Sequence, residues 1–212
     1  MNNAGYSQTG ALETVEMDQV RHQFETNVFG LLRLIQAVLP AMRRQRFGRI
    51  INVGSVGGRL TFPGGGAYHA TKHALEALSD ALRFEVRGFG IDVALIQPGL
   101  IRTEFANTAV ATVPVGTDGP YEEFNAAVAQ ITKDAYTKGL LARLGGEPDA
   151  VARTIARALR NLHLRARYVV TGSGRVLLLM RRLMPDWLWD LTMRASYPRP
   201  RADVGGATSR RD

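Results

Sequence analysis

The 212-residue chain contains no cysteine, which excludes a disulfide framework, a thiolate metal site and a cysteine nucleophile. Long apolar runs are also lacking, since the most apolar helical stretch, VFGLLRLIQAVLP, carries Arg33 and Gln36 and is too short to span a bilayer. No basic segment followed by an apolar run suggests secretion. With a hydrophobic content of 45% and a charged content of 22%, we expect a globular, cytoplasmic enzyme or binding domain.

Positive charge is in excess but is not concentrated. The formal net charge is +8, and only three of the 27 basic residues are lysines (Lys72, Lys133 and Lys138). From Arg175 onward the chain has eight arginines against four acidic residues, so part of the excess lies at the end of the sequence. No basic stripe is interleaved with aromatic residues, as a nucleic-acid-binding surface would be. We therefore expect no nucleic-acid partner.

Helix and strand patterns alternate along the chain. Helical patterns cover about 17–44 and 67–89, and a third helix begins at Pro148. Three short apolar runs rich in β-branched residues, RIINVGS, IDVALIQPG and ARYVVTGSG, have the composition of buried strands. This alternation predicts an α/β fold with a parallel sheet that helices cover on both faces.

Three segments depart from this alternation of helices and strands. Residues 103–145 are predicted to be an irregular substrate-covering loop, with four aromatic side chains (Phe105, Tyr121, Phe124 and Tyr136) above an apolar substrate. Simple packing of these rings is the alternative. Residues 173–200 predict an amphipathic extension broken at Pro185, which either caps the substrate cleft, the interpretation we favour, or docks on an anionic membrane. Residues 201–212 are expected to be disordered.

The pair Tyr68 and Lys72 is the sharpest chemical signal. A spacing of four residues on a helix places the phenol and the ammonium on one face, one turn apart. A tyrosine with a pKa of about 10 exchanges protons poorly at neutral pH, and a fixed cation beside it favours the phenolate. Such a tyrosine can protonate a carbonyl oxygen or deprotonate an alcohol. The alternative is an exposed helical pair without a chemical role.

A metal site is the rival interpretation of the same helix. His69 and His73 have the i,i+4 spacing of a two-histidine clamp. No glutamate follows His69 and no third ligand is evident, and both histidines flank the Tyr68–Lys72 pair. We therefore expect no metal.

Other residues cluster at strand ends around this helix. Ser55 ends the RIINVGS strand, and PGLIRT ends the next one, so both lie where ligands bind in open α/β sheets. Together with NNAG at 2–5, TNVFG around Asn27 and YHATK at 68–72, these motifs make the chain resemble the short-chain dehydrogenase/reductase family over about residues 2–172. The resemblance implies a Rossmann-like, doubly wound parallel sheet and an oxidoreductase that uses NAD or NADP.

The resemblance also implies a role for each matching residue. Tyr68 would be the general acid/base, Lys72 would lower its pKa and bind the nicotinamide ribose, Ser55 would bind the reacting oxygen, and Asn27 would hold a water in a proton relay. The substrate would be an alcohol or ketone, steroid- or retinoid-like in character, and the protein a homodimer or homotetramer through the 17–44 and 67–89 helices. The residues implied to contact the cofactor are Asn3, Ala4, Gly5, Tyr68, Lys72, Pro98, Gly99, Ile101 and Thr103.

The family's glycine-rich T-G-x-x-x-G-x-G turn, which holds the cofactor pyrophosphate, does not occur in the 212 residues. We expect that the sequence is an N-terminally truncated version of a longer enzyme, in which Met1 stands for an internal valine and only the last three strands of the family sheet are present. Dinucleotide binding by the 212 residues alone should then be weak. The alternatives are a genuine short protein, and an inactive fragment or binding module that keeps the fold without turnover.

Overall fold

The structure, a computed structural model, describes residues 1–114 and 119–201. Its described part contains three β-strands and nine α-helices, with at least one helix between successive strands. The strands are β1 (Gly48–Val53), β2 (Ile91–Pro98) and β3 (Arg167–Val170). The helices are α1 (Met17–Phe24), α2 (Gly30–Gln45), α3 (Gly66–Glu85), α4 (Phe105–Ala111), α5 (Glu122–Thr137), α6 (Gly139–Arg143), α7 (Pro148–Arg160), α8 (Gly172–Leu183) and α9 (Asp186–Ser196).

The three strands form one parallel sheet in the order β1-β2-β3. Each predicted apolar run is therefore a strand, and all three carboxyl ends meet at the same edge of the sheet. On the outer side of β1, Asn2 forms a single parallel bridge to Asn52. Its backbone N–H donates to the Ile51 carbonyl at 2.8 Å, and its own carbonyl accepts from the Val53 N–H at 2.8 Å. This bridge fixes residues 2–5 beside the end of β1.

Helices cover the sheet on both faces because consecutive apolar residues of a strand point their side chains to opposite faces of the sheet. On one face, Ile50 and Leu95 belong to a core cluster with Leu31 and Ile35 of α2 and with Leu75 of α3. On the other face, three further strand residues pack with α7; this second cluster includes Ile51, Ala94, Ile96, Val151, Ile155 and Ala158. The sequence-based prediction of a parallel α/β sheet with two covered faces is confirmed.

The predicted 17–44 helix is not uniform. It contains a π-helical turn, Glu25–Phe29, between α1 and α2. The extra residue in a π turn shifts the register of the side chains that follow. Asn27 and Val28 are consequently buried inside the turn, while Phe29 is 45% exposed.

The segment 103–145 differs from expectation. Where an irregular loop was predicted, the described residues form α4, α5 and α6. The prediction was wrong because scattered polar residues hid a helical spacing: Ala106, Ala109, Asn125 and Val128 are the buried members of α4 and α5, three apart within each helix. Residues 115–118 lie outside the described residues.

The C-terminal extension is broken where the sequence predicts. α8 ends at Leu183, and Pro185 is the residue that precedes α9. Trp189 is 8% exposed and packs against Val56 and Leu60, whereas Trp187 on the same helix is 68% exposed. No helix among the described residues is long and apolar enough to cross a bilayer. The predicted disorder of 201–212 concerns residues that, after Arg201, lie outside the described range.

Candidate active site

A cavity of about 430 Å³ opens at the carboxyl ends of β1 and β2. Strand ends, the N-terminal segment and helices α3, α4, α5 and α7 all contribute to it. Its lining residues are Met1, Asn3, Gly5, Val53, Gly54, Ser55, Tyr68, Lys72, Pro98, Gly99, Ile101, Thr103, Phe105, Tyr136, Pro148, Val151, Ala152 and Ile155. This is the place where parallel α/β sheets bind ligands.

Lys72 is buried in the wall of this cavity, with 7% of its surface exposed. Its ammonium Nζ donates a hydrogen bond to the Val53 carbonyl at the end of β1, at 3.2 Å. Nζ also lies 5.7 Å from the centre of the Tyr68 ring. Burial lowers the pKa of Lys72 to about 8, because the ammonium has lost much of its hydration. The only hydrogen bond of Nζ among the described residues is the one to Val53, so the ammonium can donate further bonds into the cavity.

The phenol of Tyr68 lies beside Ser55 in the wall of the cavity. Burial raises the pKa of Tyr68 to about 12, and the nearby Ser55 hydroxyl acts in the opposite direction but less strongly. The Lys72 ammonium lies over the Tyr68 ring and bonds to the Val53 carbonyl. In the described structure Tyr68 is therefore a protonated phenol, which suits it to donate a proton.

Ser55 sits at the turn that follows β1. It precedes a short 3₁₀ turn, Val56–Gly58, and its Oγ accepts a hydrogen bond from the Gly57 N–H at 3.0 Å. This bond leaves the hydroxyl proton available to a second partner. A side chain at Gly57 would place Cβ 2.8 Å from His69 Nδ1, so the turn packs directly on α3. Ser55 and Tyr68 are thus held beside each other at the cavity wall.

The side chain of Asn27 is held by hydrogen bonds within the protein. Its Oδ1 accepts from the Tyr6 N–H at 3.1 Å, and its Nδ2 donates to the Tyr6 carbonyl at 2.9 Å and to Thr71 Oγ1 at 3.0 Å. Both amide protons are therefore used within the protein. The side chain links the N-terminal segment to α3 but does not line the cavity. A Cβ added to Gly5 would lie 3.1 Å from Asn27 Oδ1 and 3.6 Å from Lys72 Nζ, so only glycine keeps this space open.

The structure brings most of the sequence-predicted residues together. The predicted residues that line the cavity are Asn3, Gly5, Ser55, Tyr68, Lys72, Pro98, Gly99, Ile101 and Thr103. Ala4 and Asn27 do not line it. The Pro98–Gly99 turn packs against the start of α8: a Cβ on Gly99 would lie 2.5 Å from Thr171 Oγ1 and 2.6 Å from the Gly174 nitrogen.

The α7 residues of the cavity were not among the site residues predicted from the sequence. Val151 and Ile155 belong to the apolar stripe of α7, and the same stripe both packs under the sheet and reaches the cavity. Of the four aromatic residues in 103–145, Phe105 and Tyr136 line the cavity. Tyr121 instead donates its hydroxyl to Glu13 at 2.7 Å on the surface. No sequence signal separates the two kinds of aromatic residue.

Both histidines of α3 are engaged by the backbone. Nδ1 of His69 lies 2.8 Å from the Gly57 carbonyl, and Nδ1 of His73 lies 2.9 Å from the His69 carbonyl. In the described ranges, 1–114 and 119–201, no group of three side chains has the arrangement of a metal site. The His69 ring therefore holds α3 against the Ser55 turn, whereas the His73 ring bonds within its own helix.

Comparison with known proteins identifies the family. The model of the short chain dehydrogenase family matches residues 1–114, more than half of the sequence. The chain belongs to the short-chain dehydrogenase family.

Several relatives of this chain are described as oxidoreductases. The uncharacterized oxidoreductase YbbO of Escherichia coli is 38% identical over 189 residues, which are 89% of this chain and 64% of that protein. The uncharacterized oxidoreductase YusZ of Bacillus subtilis is 34% identical, over 90% of this chain and 67% of its own length. The chain thus spans about two thirds of the length of these relatives.

Solved structures share the fold. A short-chain dehydrogenase from Streptomyces avermitilis is 32% identical and superposes with a TM-score of 0.69, covering 92% of this chain and 69% of its own. A serine dehydrogenase in complex with NADP⁺ has 26% identity and a TM-score of 0.66, over 81% of this chain and 63% of its own. An NAD⁺-bound xylitol dehydrogenase, at 23% identity over 81% of this chain and 66% of its own, supports the fold with a TM-score of 0.64.

Proposed function

We propose that this protein catalyses the NAD(P)-dependent interconversion of an alcohol and a carbonyl compound, with Tyr68 as the general acid/base. One observation carries the proposal: Ser55, Tyr68 and Lys72 line a single cavity together with four strand-end residues, Pro98, Gly99, Ile101 and Thr103. A hydroxyl donor, a phenol and an ammonium at the carboxyl end of a parallel sheet suit proton transfer to a carbonyl oxygen.

The cavity fits the nicotinamide end of NAD or NADP. Gly5 keeps the space before Asn27 and Lys72 open, and the Lys72 ammonium has donors left for ribose hydroxyls. Asn3 and the Pro98–Thr103 segment would line the same end of the cofactor. When bound, the cofactor supplies or accepts the hydride.

Within this arrangement the protein's residues position the substrate and move one proton. Ser55 would donate its hydroxyl proton to the carbonyl oxygen, which orients the substrate and stabilises negative charge as it develops there. The Tyr68 hydroxyl would donate the proton that this oxygen takes up. The positive charge of Lys72 would stabilise the resulting phenolate. In the reverse direction, Tyr68 would accept the proton of the alcohol.

We further propose a lipophilic substrate. Phe105 packs on the ring of Tyr68, with 5.5 Å between ring centres, and Ile101 lines the same cavity. Helices α8 and α9 would cover the cleft and not dock on a membrane, since Phe62 lies 5.8 Å from the buried ring of Trp189 and 5.9 Å from His69. These contacts connect the C-terminal extension to the helix that carries Tyr68.

The test follows NAD(P)H absorbance with a panel of secondary alcohols and ketones. It uses the longest in-frame form of the protein, because the 212 residues contain no T-G-x-x-x-G-x-G turn. Tyr68→Phe should lower kcat by roughly 1,000-fold or more and leave the cofactor dissociation constant nearly unchanged, since it removes a hydroxyl that acts in the transition state. Tyr121→Phe, outside the cavity, is the matched control. Unchanged kcat in Tyr68→Phe would refute the assignment, and cofactor binding without turnover in wild type would favour a binding module.

We also propose that the protein forms a homodimer or homotetramer through α2 and α3. Their outward faces expose Leu34 (59%), Val38 (40%) and Phe84 (66%), which is more apolar surface than an isolated helix pair usually leaves in water. Light scattering at micromolar concentration should show a multiple of the chain mass, and Leu34→Glu should shift it toward the monomer. A wild-type monomer would contradict this proposal.

A further inference from the structure

Tyr136 is a second tyrosine in the cavity that contains Tyr68. It lies in the last turn of α5 and comes from a segment that carries none of the family motifs. Burial raises the pKa of Tyr136, and the neighbouring Tyr68 phenol raises it further. The hydroxyl of Tyr136 is therefore protonated at neutral pH and close enough to Tyr68 for the two to interact.

The hydroxyl of Tyr136 has no hydrogen-bond partner among residues 1–114 and 119–201. The hydroxyl also keeps some contact with solvent. The fully buried side-chain atoms that lack a hydrogen-bond partner in these ranges belong to Gln23, Arg49 and Gln97, and the Tyr136 hydroxyl is not among them. By contrast, the Tyr121 hydroxyl, at the other end of α5, bonds to Glu13. Tyr136 thus presents an unpaired donor to the open space of the cavity, where a bound molecule can accept it.

The position of Tyr136 favours contact with the substrate over contact with the cofactor. The residues that fit the nicotinamide come from the N-terminal segment and from the end of β2, whereas Tyr136 comes from α5. Phe105, which packs on the Tyr68 ring, comes from α4, and α4 packs on α5. Tyr136 and Phe105 therefore approach Tyr68 from the same helical layer.

The surrounding charges define what Tyr136 can recognise. No arginine lines the cavity, and Lys72 is its only basic lining residue within the described part of the chain. A carboxylate or phosphate on the substrate would have no cationic partner of its own. A neutral hydroxyl or carbonyl oxygen needs only one donor, which a phenol supplies.

We infer that Tyr136 is a specificity-determining residue that hydrogen-bonds a second, uncharged oxygen of the substrate, on a carbon near the one that is oxidised or reduced. The substrate class is then a hydroxy-ketone or a diol and not a simple ketone or alcohol. This inference rests on the proposed function, since it takes Tyr68 to bind the reacting oxygen. Sites that hydrogen-bond a substrate hydroxyl discriminate strongly against analogues without it.

The experiment compares cyclohexanone with 2-, 3- and 4-hydroxycyclohexanone on the longest in-frame form of the protein. Wild type, Tyr136→Phe and the control Tyr121→Phe are measured for kcat/KM and, by calorimetry in the presence of the oxidised cofactor, for the dissociation constant of each ketone. Wild type should prefer at least one hydroxy-ketone. Tyr136→Phe should weaken its binding and lower its kcat/KM by about five- to tenfold, while changing cyclohexanone less than twofold. Tyr121→Phe should change neither ligand.

Each other outcome has a defined meaning. An equal loss for all ketones would show that Tyr136 merely supports the cavity, and a loss of cofactor affinity would assign its hydroxyl to the cofactor; both overturn the inference. Unchanged hydroxy-ketone binding in Tyr136→Phe also overturns it. If wild type turns over no ketone but binding still depends on Tyr136 and on the second oxygen, the inference holds and the proposed reaction fails.

Discussion

The rim of the sheet and the layer that covers it are organised differently. The rim consists of the strand-end segments Gly54–Ser55 and Pro98–Thr103 together with Tyr68 and Lys72 of α3. Its polar groups bond to neighbouring backbone: Lys72 bonds to Val53, and Ser55 to Gly57. The cover consists of α4, α5, α8 and α9. It contacts the rim through rings, such as Phe105 with Tyr68, and through the start of α8, where Ser173 Oγ accepts from the Leu100 N–H at 3.2 Å.

With the proposed function, this difference would separate the residues that carry out the reaction from those that select the substrate. In the rim, each side chain is fixed by a strand end or a helix turn, so the reacting groups keep one geometry. In the cover, packing holds the helices, and several apolar residues of α8 and α9 stay exposed, including Leu183 (71%) and Leu191 (56%). Substitutions in the rim should therefore abolish the reaction, whereas those in the cover should change stability or choice of substrate.

Among the variants that compare the rim with the cover, the largest effect is expected from Lys72→Arg, which keeps the charge of the rim. The guanidinium is a broad planar fork, and the buried site beside Val53 holds a compact ammonium. We expect kcat/KM to fall by roughly 100-fold or more, about 3 kcal/mol of transition-state stabilisation. Lys133→Arg, an exposed position of α5 in the cover, is the matched control and should be near wild type. Activity of Lys72→Arg within threefold of wild type would contradict the role of Lys72.

The same contrast explains what could be predicted from the sequence. The rim could be predicted from the sequence because its residues lie in short motifs at strand ends. The parallel arrangement of the strands places Ser55 and Pro98–Thr103 at one edge of the sheet. The rise in the pKa of Tyr68 on burial could not be predicted from the sequence, because it depends on how much water reaches the phenol after folding. The helices within 103–145 were missed because packing between α4 and α5 stabilises them. Tyr136 could not be distinguished from Tyr121 by its neighbours in sequence.

A second prediction compares two tryptophans of the cover. Trp189 packs against Phe62 and is 8% exposed, whereas Trp187 is 68% exposed. Trp189→Ala should lower the free energy of unfolding by about 3 kcal/mol, because it leaves a cavity between α9 and the segment after Ser55. Trp187→Ala should change it by less than about 0.5 kcal/mol. Urea unfolding followed by circular dichroism measures both, and equal losses would mean that α9 does not pack on the segment after Ser55 as described.

The smallest effect concerns the free energy of unfolding, which burial of the Lys72 ammonium lowers. Burial lowers the pKa of Lys72 to about 8 in the folded state, below the ordinary value of about 10.4 that it has when unfolded. Between these two pH values the unfolded chain binds more protons, so the stability of the wild type rises with pH, and below about pH 8 the full penalty is present. Lys72→Met removes this dependence. The stability difference between Lys72→Met and wild type should therefore shift by about 2 kcal/mol in favour of the wild type from pH 7 to pH 9.5.

That pH range ends below pH 10, above which the raised pKa of Tyr68 would begin to lower the stability of both proteins. Lys133→Met, exposed in the cover, should differ from wild type by the same amount at every pH in this range. A difference between Lys72→Met and wild type that does not depend on pH would show that water reaches the Lys72 ammonium, and that the rim is as open as the cover.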